Sequence, residues 1–172
     1  AEDRAAMAAL TRQGIEAGAL GFSTSRTLNH RTLDGKHIPT LRAEEAELSE
    51  IAASMGAGWV QIVSDFDDPD AEFGLFRRVA EHSGRPVTLT LLQSDGRPDG
   101  WRDLLHHIAD ANATGLHIPG QIRSRPASVL LGFELSPTPF RRAPNLQPHQ
   151  PLPSPRVLRH LPVAAPPPPP PT

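Results

Sequence analysis

The chain has no cysteine among its 172 residues, so disulfides and thiolate metal sites are excluded and the redox compartment cannot be read from them. It has no apolar run near the roughly 20 residues that cross a bilayer. No signal-peptide pattern opens it, because the first helix-like stretch is amphipathic and acidic, which reads as a cytoplasmic protein. Neither sign of charge prevails: 17 basic residues face 19 acidic ones. A net charge of −2 predicts no general attraction to nucleic acid or to an anionic membrane. The phosphate-binding patterns Gly-x-Gly-x-x-Gly and Gly-x4-Gly-Lys-Ser/Thr are missing, as are His-x-His and His-Glu-x-x-His. At 172 residues the chain is also shorter than the about 250 of a complete (β/α)8 barrel. It opens on Ala1, mid-pattern, as an internal piece of something longer would.

What is there divides in two. Six of the 20 prolines lie in residues 1–136 and 14 in residues 137–172. All 19 acids lie before residue 137, while the segment after it holds four arginines and no acid. It ends in the run Pro166 to Pro171. Such a segment buries too little apolar area to offset its ordering entropy, so 137–172 is expected to be a disordered, partly polyproline-II tail. Its functional reading is a ligand for an SH3 or WW module. Its bland readings are a flexible tail or an out-of-frame stretch, which the abrupt loss of acids favours.

Residues 1–136 alternate helix and strand. Ala5, Ala8, Ala9, Ile15 and Ala17 space a helix over 4–17, stopped near Gly18. A strand at 19–25 and an Arg-rich loop from Arg26 to about Leu41 follow. Ala46, Leu48, Ile51, Ala52 and Met55 make the buried stripe of a helix over 43–55. A strand at 58–64 leads to Asp68 and Pro69, an N-cap and first-turn proline. The helix they open carries Phe73, Phe76, Val79 and Ala80 and stops at Gly84. A strand at 86–92, a helix over 98–113 and a fourth strand at 117–122, weakened by Pro119 and Gly120, complete the pattern. Alternation of this kind predicts an α/β fold with a parallel sheet and right-handed crossovers. Two architectures fit: an open doubly wound sheet, or a partial TIM-like (β/α) barrel of about four consecutive βα units.

In either, chemistry sits beyond the carboxyl ends of the strands. The first strand delivers Ser23, Thr24, Ser25 and Arg26, then Asn29, His30 and Arg31. The second delivers Gln61, Ser64 and Asp65, the third Gln93, Ser94 and Asp95, and the fourth Gln121, Arg123 and Arg125. Single aspartates here read as caps and turns. The first-strand cluster reads otherwise, because a loop this long is often functional. Of the histidines, His30 and His37 share that loop, whereas His82, His106 and His107 belong to helices.

Three separated runs carry a family likeness. They are Gly18-Ala-Leu-Gly-Phe-Ser-Thr-Ser-Arg-Thr-Leu-Asn-His-Arg31, Val63-Ser-Asp-Phe-Asp-Asp-Pro-Asp-Ala-Glu72 and Gln93-Ser-Asp-Gly-Arg-Pro-Asp-Gly-Trp101. With them residues 1–136 resemble the N-acyl-D-amino-acid deacylase branch of the amidohydrolase superfamily. The resemblance implies a TIM-like barrel that hydrolyses the amide bond of N-acyl-D-amino acids or related amides. It implies zinc or another divalent metal in the full-length parent, where metal-bound hydroxide attacks the amide carbonyl. It implies further that this chain is an internal piece, without the family's first-strand His-x-His and last-strand aspartate. The family's metal-binding histidines are also missing from Val60–Asp65 and Val87–Gln93. No catalytic residue and no bound metal are therefore expected in this chain alone. A substrate carboxylate needs a cation, and Arg26, Arg31 and Arg123 are the candidates. Ser23, Thr24 and His30 complete the expected substrate-binding set. The other reading is an inactive truncated barrel, or an interaction module with a proline-rich tail.

Overall fold

A computed structural model describes residues 2–32, 35–94 and 96–125. The expectations for 137–172, the SH3/WW ligand among them, and for Asp95 lie outside the described residues. All the described elements belong to one compact unit, residues 1–32 and 36–126. In chain order they are α1 (Glu2–Glu16), β1 (Gly21–Arg26), a 3-10 turn (Pro39–Arg42), α2 (Glu45–Ser54), β2 (Trp59–Ser64), α3 (Pro69–Ser83), β3 (Val87–Thr90), α4 (Gly100–Ala113) and β4 (Gly120–Gln121).

The four strands form one parallel sheet in the order β1-β2-β3-β4. A doubly wound sheet reverses its strand order at a switch point. These four strands advance in one direction only. Right-handed crossovers between strands so ordered put every helix on one face. In keeping with that, α1 packs on α2, α2 on α3 and α3 on α4.

Strand periodicity then sorts the side chains. Thr24, Val60, Ile62, Val87 and Leu89 point to the helices and are buried. There they meet Leu48 and Ala52 of α2, Phe73, Phe76 and Val79 of α3, and Leu104, Ile108 and Ala111 of α4. Phe76 is fully buried and meets Phe66 edge-on at 5.6 Å. The opposite sheet face carries Ser23, Ser25, Gln61, Val63 and Thr90, which are not buried, and Thr88, which is. Gly21 shares the parity of Ser23 and Ser25 and sits tight against β2: a Cβ there would stand 2.1 Å from the Trp59 carbonyl oxygen.

The α3 caps match the sequence. Asp68 accepts the Ala71 N–H at 3.1 Å, Pro69 opens the helix, and Gly84 closes it at φ +64°. Three elements differ from expectation. On α2 the buried stripe takes in Ser49, while Ala46 is exposed. On α1 no residue is buried: it packs mainly on α2, and only Ile15 of it reaches the core cluster as a partly buried residue. The third difference is β4, two residues rather than six. Val87, Leu89 and Leu91 donate to the carbonyls of His117, Pro119 and Gln121. Pro119 has no N–H to donate back to β3, so the ladder is complete only at Gly120 and Gln121; on the outer edge the Ile118 N–H donates to Asn112 Oδ1 at 2.8 Å.

Candidate functional site

The carboxyl end of β2 holds the loop after β1. Asp65, just past β2, accepts the Thr27 hydroxyl and, at 2.7 Å, the Leu28 N–H. The Thr27 Oγ1 accepts the Asn29 N–H at 3.1 Å. This clamp brings the chain back over β1, so that His30 Nδ1 lies 2.6 Å from Ser25 Oγ. Arg31 donates from Nε to the Leu28 carbonyl at 3.1 Å and pairs in backbone register with His37. Thr32 N–H donates to the Lys36 carbonyl at 3.0 Å. The long loop is thus pinned at its root by a carboxylate and closed by a short antiparallel rung.

The six expected substrate-binding residues fall in different places. Ser23 is exposed on the sheet face away from the helices, where its hydroxyl donates to Gln61 Oε1 on the neighbouring strand. His30 and Arg31 flank the Asp65 clamp. Thr24 lies on the opposite face, 6% exposed and packed toward the helix layer, with Oγ1 buried and without a partner.

Arg26 also points to the helices. Its Nη2 and Nε donate to Glu72 of α3 at 2.8 and 3.0 Å, and its Nη1 donates to the Ala43 carbonyl at 2.6 Å. Its side chain is 12% exposed. This guanidinium ties β1 to α3 and to the start of α2. It is a structural clasp with its fork already filled. Arg123 lies beyond β4, and three strand steps of about 4.8 Å separate β4 from β1 by roughly 14 Å along the sheet.

Sequence reasoning passed over three participants. Asp65 had looked like a turn residue. Glu72 sits 46 residues from Arg26 and also accepts the Ser64 hydroxyl at 2.9 Å. Phe66 adopts φ +52°, a left-handed backbone that a bulky residue seldom takes. Two bonds hold it there: its N–H donates to Ser64 Oγ at 3.1 Å, and its carbonyl accepts Arg97 Nη1 at 2.8 Å. Strain held at a strand end is a frequent mark of a functional end. A bonding pair five residues apart, Ser25 and His30, was in reach of the sequence; the other signals were not.

A hollow of about 300 Å3 opens beyond β3 and β4, lined by Leu91, Leu92, Gln93, Trp101 and Ile122. Asp99 and Arg102 rim it, 3.3 Å apart, with the guanidinium 4.3 Å over the Trp101 ring. For a metal the donor set does not fit: among the described residues no three His, Asp or Glu side chains group closely enough to hold one. No helix among them is long and apolar enough to cross a membrane. Compared with known proteins, the chain matches no family model, no curated protein and no solved structure.

Proposed function

We propose that this chain is a βα-barrel segment of the amidohydrolase kind, whose carboxyl-terminal end engages N-acyl-D-amino acids or related amides. The observation that carries the reading is the group Ser25, His30 and Arg31, gathered over the Asp65 clamp at the end of a sequentially ordered parallel sheet. That end is where such sheets place their chemistry. The choice of substrate class rests on the three sequence runs that resemble the deacylases. In this reading Arg31 and His30 attract the carboxylate of the substrate, and Ser25 and His30 offer hydrogen bonds to its amide. The hollow beside Trp101 receives an apolar group. No hydrolytic step is assigned to these residues, because the metal donors that the resemblance implies are not among them.

The test is a calorimetric titration of the full chain with N-acetyl-D-methionine and with its L enantiomer. Weak saturable binding, stronger for the D form and lost in His30→Ala, is expected. An unsaturable response, or one unchanged in His30→Ala, contradicts the proposal. The exposed side chains Trp59, Leu92 and Ile122 favour a second reading, an association module without catalysis. That reading expects no preference between the enantiomers.

A further inference from the structure

Among the described residues, Ser25 is the one serine hydrogen-bonded to a histidine. Ser64 Oγ donates to Glu72, Ser23 Oγ to Gln61, and Ser54 and Ser83 to backbone carbonyls. Ser25 Oγ lies 2.6 Å from His30 Nδ1. A hydroxyl within hydrogen-bond reach of an imidazole nitrogen is the core of an activated nucleophile, since the ring can accept the proton as the oxygen attacks. Both partners are also fixed by contacts other than their own bond. Ser25 sits in the β1–β2 ladder opposite Val63, and its carbonyl accepts the Thr40 hydroxyl at 2.8 Å. His30 lies between Leu28, whose N–H is held by Asp65, and Arg31, which donates to the Leu28 carbonyl and pairs with His37. The pair is thus assembled before a ligand arrives, which lowers the entropic cost of bringing nucleophile, base and substrate together. Ser25 is the last residue but one of β1, on the sheet face away from the helices. It is half-buried and His30 is exposed, which leaves the pair in contact with solvent.

We infer that Ser25 is a nucleophile with His30 as its base, and that it takes the acyl group of activated carboxylic esters, those of acidic alcohols and phenols. His30 Nδ1, unprotonated in the tautomer that carries its hydrogen on Nε2, takes the Ser25 proton. Oγ bonds to the ester carbonyl carbon, and the π electrons move to the carbonyl oxygen. As they return, the bond to the leaving oxygen breaks and the proton on Nδ1 passes to that oxygen. Water, deprotonated by the same nitrogen, then attacks the acyl-serine, releasing the carboxylic acid and restoring the hydroxyl. The limit to good leaving groups follows from what the pair lacks. Among the described residues no carboxylate is bonded to the His30 ring, and replacing the third group of a serine–histidine–aspartate triad costs about 10,000-fold in kcat. An amide, whose leaving nitrogen must be protonated, is beyond such a pair, whereas an aryl ester is not. This acylation needs the hydroxyl and the ring nitrogen and not Arg31, so it does not rest on the binding of N-acyl-D-amino acids.

The test treats the full chain with diisopropyl fluorophosphate, whose phosphorus bonds to an activated serine oxygen as fluoride leaves, and separately with 4-nitrophenyl acetate. One phosphoryl group per chain is expected, mapped by peptide mass spectrometry to Ser25 and not to Ser23 or Ser64 of the same sample. Release of nitrophenolate should begin with a burst of one equivalent, and the burst should vanish in Ser25→Ala. His30→Gln keeps a polar side chain without the basic nitrogen, so labelling of Ser25 should slow about a hundredfold, the low end of what a positioned base contributes. Amide exchange at Leu28, unchanged in His30→Gln, shows that the loop is still clamped. Label spread over several serines, labelling of Ser25 at the parent rate in a clamped His30→Gln, or no label at all overturns the inference. Binding of N-acetyl-D-methionine with no label at Ser25 overturns the nucleophile and leaves the ligand site standing; label at Ser25 without that binding does the reverse.

Discussion

Removing the Glu72 carboxylate tests how β1, β2 and α3 are tied together. In Glu72→Ala the Arg26 guanidinium keeps one acceptor, the Ala43 carbonyl, and loses both oxygens that hold its fork. The Ser64 hydroxyl loses its acceptor as well. A charge-assisted hydrogen bond contributes about 1.5–3 kcal/mol, and breaking a fully buried pair costs about 3–5 kcal/mol. Here the two side chains are 12% and 22% exposed, so water relieves part of that cost. About 2–3 kcal/mol is expected. In urea, with a slope of about 2 kcal/mol per molar, the midpoint falls by about 1–1.5 M at an unchanged slope. Replacing both partners, Arg26→Met with Glu72→Met, removes the stranded charge and should cost less than the two single changes added together. A Glu72→Ala midpoint within about 0.3 M of the parent, or strict additivity in the cycle, would refute the clasp. The same outcome would return Arg26 to the set of residues open to a ligand.

Other perturbations follow from single contacts. Gly21→Ala drives a Cβ into the Trp59 carbonyl, so it should separate β1 from β2 at that point and cost at least about 2 kcal/mol in the same denaturation assay. Asn112→Ala strands the Ile118 N–H and should cost about 1–3 kcal/mol, with faster amide hydrogen exchange confined to the β3–β4 region. Asp65→Ala unclamps the loop after β1; amide exchange at Leu28 should accelerate, whereas α3 and α4 should keep their protection. After dialysis the full chain should retain no stoichiometric zinc and turn over no N-acetyl-D-amino acid; elemental analysis with a deacylation assay checks both.

The parts of the fold that were legible in the sequence are those set by local physics. Helix and strand alternated at regular intervals, and Asp68, Pro69 and Gly84 marked the ends of α3 at the residues where they occur. The strand-end location of Ser25, His30 and Arg31 was legible for the same reason. Contacts between distant residues were not. Nothing near Arg26 announces Glu72, 46 residues away, so a cation that looked suited to a substrate turns out to brace the sheet. Thr24 illustrates a parity effect: one residue from Ser23 or Ser25, it belongs to the other face of the strand. The shortening of β4 was half visible. Pro119 gave warning of the missing donor, but the Asn112 side chain that holds the Ile118 N–H on the outer edge comes from the helix beside it and was not visible.

The carboxyl end of the β1 strand as a ligand-binding end is best tested by amide chemical-shift mapping of the 15N-labelled full chain with N-acetyl-D-methionine. Saturable shifts at Ser25, Leu28, His30 and Arg31, spreading to the residues around Trp101, are expected. Shifts confined to the amino ends of the strands, around Trp59 and His117, or no shift at a saturating ligand concentration, would contradict the assignment.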